Sequence, residues 1–213
     1  MKTPLLAVLL AATTGCGAGV APAMKATAEP HFADKAPGKA RVVFARPSGG
    51  CDTFDHAVIV DESGAFVGAL APDTEFAVDV AAGRRAFFVW PGMDLRSEKT
   101  PSFQPVGVID LELREDATRS VDVAVVTPHG GRGHCYRYAV FGFEKSATAA
   151  DVAPRAGLRV VEPDIAAGQA YLRQKKEVSG AYFLMARDIL AQRHAARALA
   201  SDRSEQLDAA GLK

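Results

Sequence analysis

Thr74-Glu75-Phe76-Ala77-Val78-Asp79-Val80 decides the fold, because Phe76, Val78 and Val80 fall on one side of an extended chain while Glu75 and Asp79 fall on the other. A period of two with β-branched and aromatic members marks a strand with one face in a core. Gly83 breaks the pattern, and residues 86–90 form a further strand before Pro91-Gly92. Working backward, residues 65–70 and 57–60 flank the turn sequence Asp61-Glu62-Ser63-Gly64. Arg41-Val42-Val43-Phe44-Ala45-Arg46 stops at Pro47, whose missing N–H discourages continuation. Working forward, residues 93–105 read as a loop, and residues 106–113 and 120–126 bracket a polar turn at Glu115-Asp116. Residues 135–143 make the last clear strand, with Tyr136 and Tyr138 alternating against Arg137.

Eight short strands with no helical pattern between them predict a mainly β fold, an antiparallel sandwich over residues 40–145. Parallel pairing needs long crossovers, and these connections are short. The chemistry then changes over residues 146–213, read as a linker, a C-terminal α-helical appendage and a tail. Val160-Val161 suggests an edge strand ended by Glu162-Pro163, and Asp164 caps a short helix through Leu172 that Gly168 weakens. Val178, Ala181, Tyr182, Met185 and Ile189 recur at helical spacing, with Leu199 extending the face, which predicts a helix of about five turns. Residues 201–213 read as a frayed tail.

The amino terminus carries an address. Lys2 precedes an apolar run over residues 5–12, which is far too short to span a bilayer at roughly 20 residues. Thr13-Thr14-Gly15-Cys16 resembles a bacterial lipobox, with Thr13 where leucine is usual. Residues 1–16 are thus a signal with Cys16 as the lipidated first mature residue. Plain secretion by cleavage after Ala21-Pro22-Ala23 and an unprocessed structural segment are the alternatives. Acyl chains on Cys16 would anchor the protein to a membrane. Gly17 is not the aspartate that a resemblance to enterobacterial lipoproteins would associate with inner-membrane retention, so that resemblance implies the outer membrane facing the periplasm, with a secreted or periplasmic protein as the alternative. Residues 17–39, rich in alanine, glycine and proline, read as a flexible tether.

Lysine plus arginine equals aspartate plus glutamate at 25 each, so no net field draws in a polyanion and nucleic acid is not an expected partner. The stretch from Tyr171 to Arg203 is basic, however. It suits anionic lipid, an envelope protein or polymer, or simply the wet face of a docked helix.

Residues 41–90 resemble exported bacterial lipoproteins with a small, uncharacterised prealbumin-like sandwich domain. The likeness rests on the opening strand ending in Arg46-Pro47, then Val58-Ile59-Val60-Asp61 with Gly64, Val67-Gly68, Leu70, residues 74–80, and Gly83 before Phe87-Phe88-Val89. Ala81-Ala82 stands where such domains commonly have prolines. The resemblance implies a fold and an address, not a reaction. The Cys51 loop, the glycine-rich loop from His129 to His134 and the helical tail lie outside it, and any specialised role is expected there.

Cys51 and Cys135 are the thiols left after Cys16, and in an oxidising periplasm they are expected to form a disulfide, since Gly49-Gly50 and the glycines after His129 give both loops freedom of approach. Free buried thiols, or a Cys₂His₂ set with His56 and His134, are the alternatives; the spacing matches no zinc motif, so no metal or cofactor is expected. A bridge would bring Asp52, Asp55 and His56 near His129 and His134, a carboxylate–histidine cluster able to move protons or hold a metal, weighed against solvated loop residues with no joint role. There is no Gly-x-Ser-x-Gly elbow, His-Glu-x-x-His helix or Walker loop. The leading expectation is a non-enzymatic envelope binding or structural module. The alternative is a periplasmic hydrolase or metal-binding protein centred on the His56 and His134 loops.

Overall fold

The computed structural model describes residues 20–27, 35–47, 56–92, 106–126, 139–146 and 155–209. In chain order these hold β1 (Met24–Ala26), β2 (Lys39–Arg46), β3 (Ala57–Asp61), β4 (Phe66–Leu70), β5 (Thr74–Ala81), β6 (Gly83–Pro91), β7 (Gly107–Leu113), β8 (Thr118–Val126), β9 (Ala139–Ser146), β10 (Arg159–Pro163), α1 (Ile165–Gln174) and α2 (Lys176–Ala209). The strands form a six-stranded sheet, β1-β10-β5-β2-β8-β9, and a four-stranded sheet, β4-β3-β6-β7. Alternation along β5 and β2 turns Phe76 and Phe44 inward. Across the gap Phe44 meets Phe87 of β6 edge-on at 5.1 Å, and it lies tilted against Phe76 at 5.4 Å. Gly68 of β4 completes this contact by having no side chain: a Cβ there would sit 2.3 Å from the Phe76 ring. The Asp61 turn is built as its residues dictate, with Oδ1 accepting from the Ser63 and Ala65 N–H groups at 2.9 Å each and Gly64 at φ 82°.

The mainly β, two-sheet expectation therefore stands, with several corrections. Pairing is antiparallel throughout the four-stranded sheet, but β2 runs parallel to β8 and β10 parallel to β5. The crossover that parallel pairing requires runs through the second sheet, since its strands β3, β4, β6 and β7 lie between β2 and β8 in the chain, with β5 returning to pair with β2. The sandwich also outgrows the boundaries of 40 and 145. Part of the stretch read as a tether is β1, which pairs antiparallel with β10 through Met24↔Pro163 to Ala26↔Val161, and Ala21 and Met24 are buried. β10 is in consequence an interior strand of its sheet, not an edge.

Both helices pack on the outer face of the four-stranded sheet as a third layer. Asp164 caps α1 by accepting from Ala167 N–H at 3.0 Å. Gly168, a poor helix former, sits where a Cβ would lie 2.0 Å from the Phe66 ring, so its absence of side chain lets α1 close on β4. α2 lays Phe183 against Phe88 at 5.6 Å and Tyr182 against Trp90 at 6.0 Å. The basic, apolar-striped helix is thus docked. It is longer than five turns and runs through most of the segment read as a frayed tail, to Ala209. Ala186 is fully buried on the docked face, whereas Leu199 is 69% exposed and Ala181 also faces solvent.

Candidate functional site

Among the sequence-derived candidates, His56 lies in the described residues; Cys16, Cys51, Asp52, Asp55, His134 and Cys135 lie outside them. His56 directly precedes β3 and is buried against the end of β6. Its carbonyl accepts from Gly92 N–H at 2.9 Å, and a Cβ on Gly92 would fall 1.8 Å from the imidazole Nε2, so the ring lies directly against the strand end. The Tyr171 hydroxyl of α1 donates to the Gly92 carbonyl at 3.2 Å and stands 3.2 Å from His56 Nε2. Both contacts are satisfied together when Nε2 carries the proton and donates to the tyrosine oxygen. Trp90, Pro91, Gly92, Tyr171, Lys175, Val178 and Ser179 line a small cleft beside this contact, with room for about one water molecule. His56 thus joins helix α1 to the sandwich.

A second cluster was not foreseen. Asp110 of the edge strand β7 faces the helical layer with its side chain 4% exposed. Arg84 of the neighbouring β6 grips it with two hydrogen bonds, 2.9 Å to Oδ1 and 2.8 Å to Oδ2. From α2, Arg197 reaches Oδ2 at 2.7 Å and His194 reaches it at 3.2 Å, while Arg193 donates to the Val108 carbonyl at 2.8 Å. The helix therefore satisfies an edge-strand acceptor that would otherwise invite another chain. The signal was present in the sequence: Arg193, His194 and Arg197 share one helical face, and Asp110 interrupts an apolar strand.

A third network covers the outer face of the six-stranded sheet. Glu75, fully buried, accepts from the Arg155 backbone N–H at 2.7 Å, and its other oxygen is 3.9 Å from Arg155 Nε. The Arg155 guanidinium also binds Asp122 of β8 and the Ser120 hydroxyl. Alternation placed Glu75 opposite Phe76, as observed, but the face it occupies is closed by Arg155.

These networks act oppositely on pH dependence. The Arg84 hydrogen bonds, outweighing burial, hold the Asp110 carboxyl down at about 2 from its ordinary 3.8. A depressed acid adds stability above its unfolded value and loses it as pH falls through the folded one, here about 2 kcal/mol lost below about pH 4. Burial pushes Glu75 above its ordinary value in spite of Arg155, so folding favours its protonated form, and stability declines as pH rises through the raised value. Denaturation midpoints measured from pH 2 to 8 should show both effects: Asp110→Asn should shrink the acid-side loss, to which the depressed Asp79 also contributes, and Glu75→Gln should flatten the decline above it. Unchanged profiles in both variants would reject these assignments.

Comparison with protein-family models, curated proteins and solved structures finds no match. The site must therefore be judged on its own geometry. Among the described residues no group of three His, Cys, Asp or Glu side chains is placed to hold a metal, and no helix is long and apolar enough to cross a membrane. Topology does bear on the two loops. Because β2 and β8 run parallel as neighbours, with Ala45 opposite Asp122, both leave the sheet at the same end. The segments carrying Cys51 and Cys135 thus start from adjacent strands.

Proposed function

We propose that this chain is a cell-envelope module held to a membrane by lipid on Cys16, facing the periplasm from the outer membrane, whose prealbumin-like sandwich binds or spaces envelope components without catalysing a reaction. The observation that carries this reading is Gly15-Cys16 behind Lys2 and the apolar run of residues 5–12. The fold supports cleavage before Cys16 over cleavage after Ala23. The later cut would discard Ala21, which is 6% exposed in the core, and would take away the Ala23 carbonyl that accepts from Asp164 N–H at 2.8 Å. The described ionisable groups singled out above, His56, Asp110 and Glu75, support a structural body, since each joins one layer or strand to another. The Cys51–Cys135 disulfide belongs to this proposal, favoured by the common end of β2 and β8.

Palmitate labelling of cells expressing the full chain tests it. The wild-type protein should carry label, fractionate with membranes and, denatured without reductant, contain no titratable thiol. Cys16→Ser should lose the label and appear in the soluble fraction. An unlabelled wild-type protein, or a Cys16→Ser variant still in the membrane, would overturn the anchor; two titratable thiols would overturn the disulfide.

A further inference from the structure

We infer that the corner of the body formed by β1 and the start of α1 rests on the phospholipid surface that holds the anchor. This rests on the reading of Cys16 as lipidated. Three residues lie between Cys16 and Val20, the first described residue, and the four chain steps from one to the other span at most about 14 Å whatever their path. The expected tether of residues 17–39 would have let the domain wander; instead the chain is fastened almost at once, by β1 pairing with β10 and by Ala23 accepting from Asp164 N–H. Val20, at the edge of this corner, must therefore stay within about 14 Å of the lipidated residue, a distance comparable with the two interfacial layers of a bilayer together.

Its chemistry suits that position. Four large apolar side chains of the described residues are exposed, and two of them are here: Val20 at 39%, three residues before Ala23, and Ile165 at 49%, immediately after Asp164. Ala166, Ala167 and Ala170 of α1 are exposed beside Ile165, and present no bulk to hold a membrane away. The exposed Arg173 and Lys176 supply cations for phosphate headgroups, beside Lys25, whose side chain is 71% exposed and paired with Asp164 at 2.8 Å. Leu199 lies beyond Arg197, which grips β7 at the opposite edge of the four-stranded sheet from β4, and Ala69 of β4 donates its N–H to the Met24 sulfur of β1. Leu199 is thus a distant control.

The test uses full-length lipidated protein in phosphatidylethanolamine–phosphatidylglycerol vesicles whose acyl chains carry bromine, a contact quencher of tryptophan. The wild type sets the baseline, because its one tryptophan, Trp90, is buried at 3% exposure. Ile165→Trp and, independently, Val20→Trp should lose about half their added emission relative to unbrominated vesicles, as side chains at the headgroup–acyl boundary do. Leu199→Trp should match the baseline. Vesicle attachment that depends on Cys16 with no added quenching at positions 20 and 165, or equal quenching at 199, would overturn the inference and leave the anchor standing. Attachment that persists in Cys16→Ser would overturn both.

Discussion

Ending the chain before Val178 is expected to lower the melting temperature by more than about 10 °C and to create binding sites for an apolar-surface dye. Tyr182 and Ala186 are buried in the contact, and Val178, Phe183, Met185, Ile189 and Leu190 are partly buried against the core. Removing a fully buried side chain of this size forfeits about 1.5–3 kcal/mol, so the loss is on the order of 5 kcal/mol or more. That is comparable with the whole stability of an ordinary domain, roughly 5–15 kcal/mol. At about 2–4 °C per kcal/mol for a chain of this size, the shift follows. Phe88 and Trp90, buried under α2, become the dye site. The Arg193 bond to the Val108 carbonyl goes as well, opening the β7 edge. Equal melting temperatures with and without residues 178–213, measured by calorimetry, would mean that α2 contributes nothing to the body.

Phe44→Ala should cost about 3–5 kcal/mol, the range for emptying a fully enclosed aromatic site. The ring is 0% exposed and touches its own sheet through Phe76 and the opposite sheet through Phe87. A cavity there loosens both contacts at once, and the surrounding strands, pinned by the Phe76 ring seated over Gly68, have little freedom to collapse into it. Phe183→Ala, at a partly exposed position in the helical layer, should cost less. Urea unfolding of the three proteins measures both. A loss under about 1 kcal/mol for Phe44→Ala would mean that the two sheets do not meet at this ring.

Most strands were legible because each carries its own evidence. The alternation of residues 74–80, the Asp61-Glu62-Ser63-Gly64 turn and the Pro47 stop are local signals, and local signals survive in any tertiary setting. β1 was not legible. Met24-Lys25-Ala26 has no alternation to read, and its order comes from β10, far along the chain. Parallel pairing of β2 with β8 was hidden for the same reason, since a register between distant strands leaves no mark on either one. Helix α2 was seen by its apolar face but cut short, because beyond Leu190 the docked residues are Arg193, His194 and Arg197, which look like a wet surface until Asp110 and the Val108 carbonyl are placed opposite them. Of the candidate site, His56 was noticed as a histidine in a loop. Its partner Tyr171 could not be, lying 115 positions away.

The β1–β10 pairing also has a consequence in time. Met24 and Pro163 face each other across 139 positions of sequence. Closing a loop of that length costs on the order of 2 kcal/mol more entropy than closing the dozen residues between β8 and β9. A chain that emerges amino terminus first therefore presents β1 early and gives it no strand to join until residue 163 has followed. The four-stranded sheet of β4, β3, β6 and β7 lies wholly between β1 and β10 in the chain and can form while β1 still waits. The stretch beside Cys16 is thus made long before the strand that immobilises it. Under the lipidation proposed for Cys16, the modifying enzyme would meet β1 unpaired, and pairing with β10 would afterwards draw that strand in.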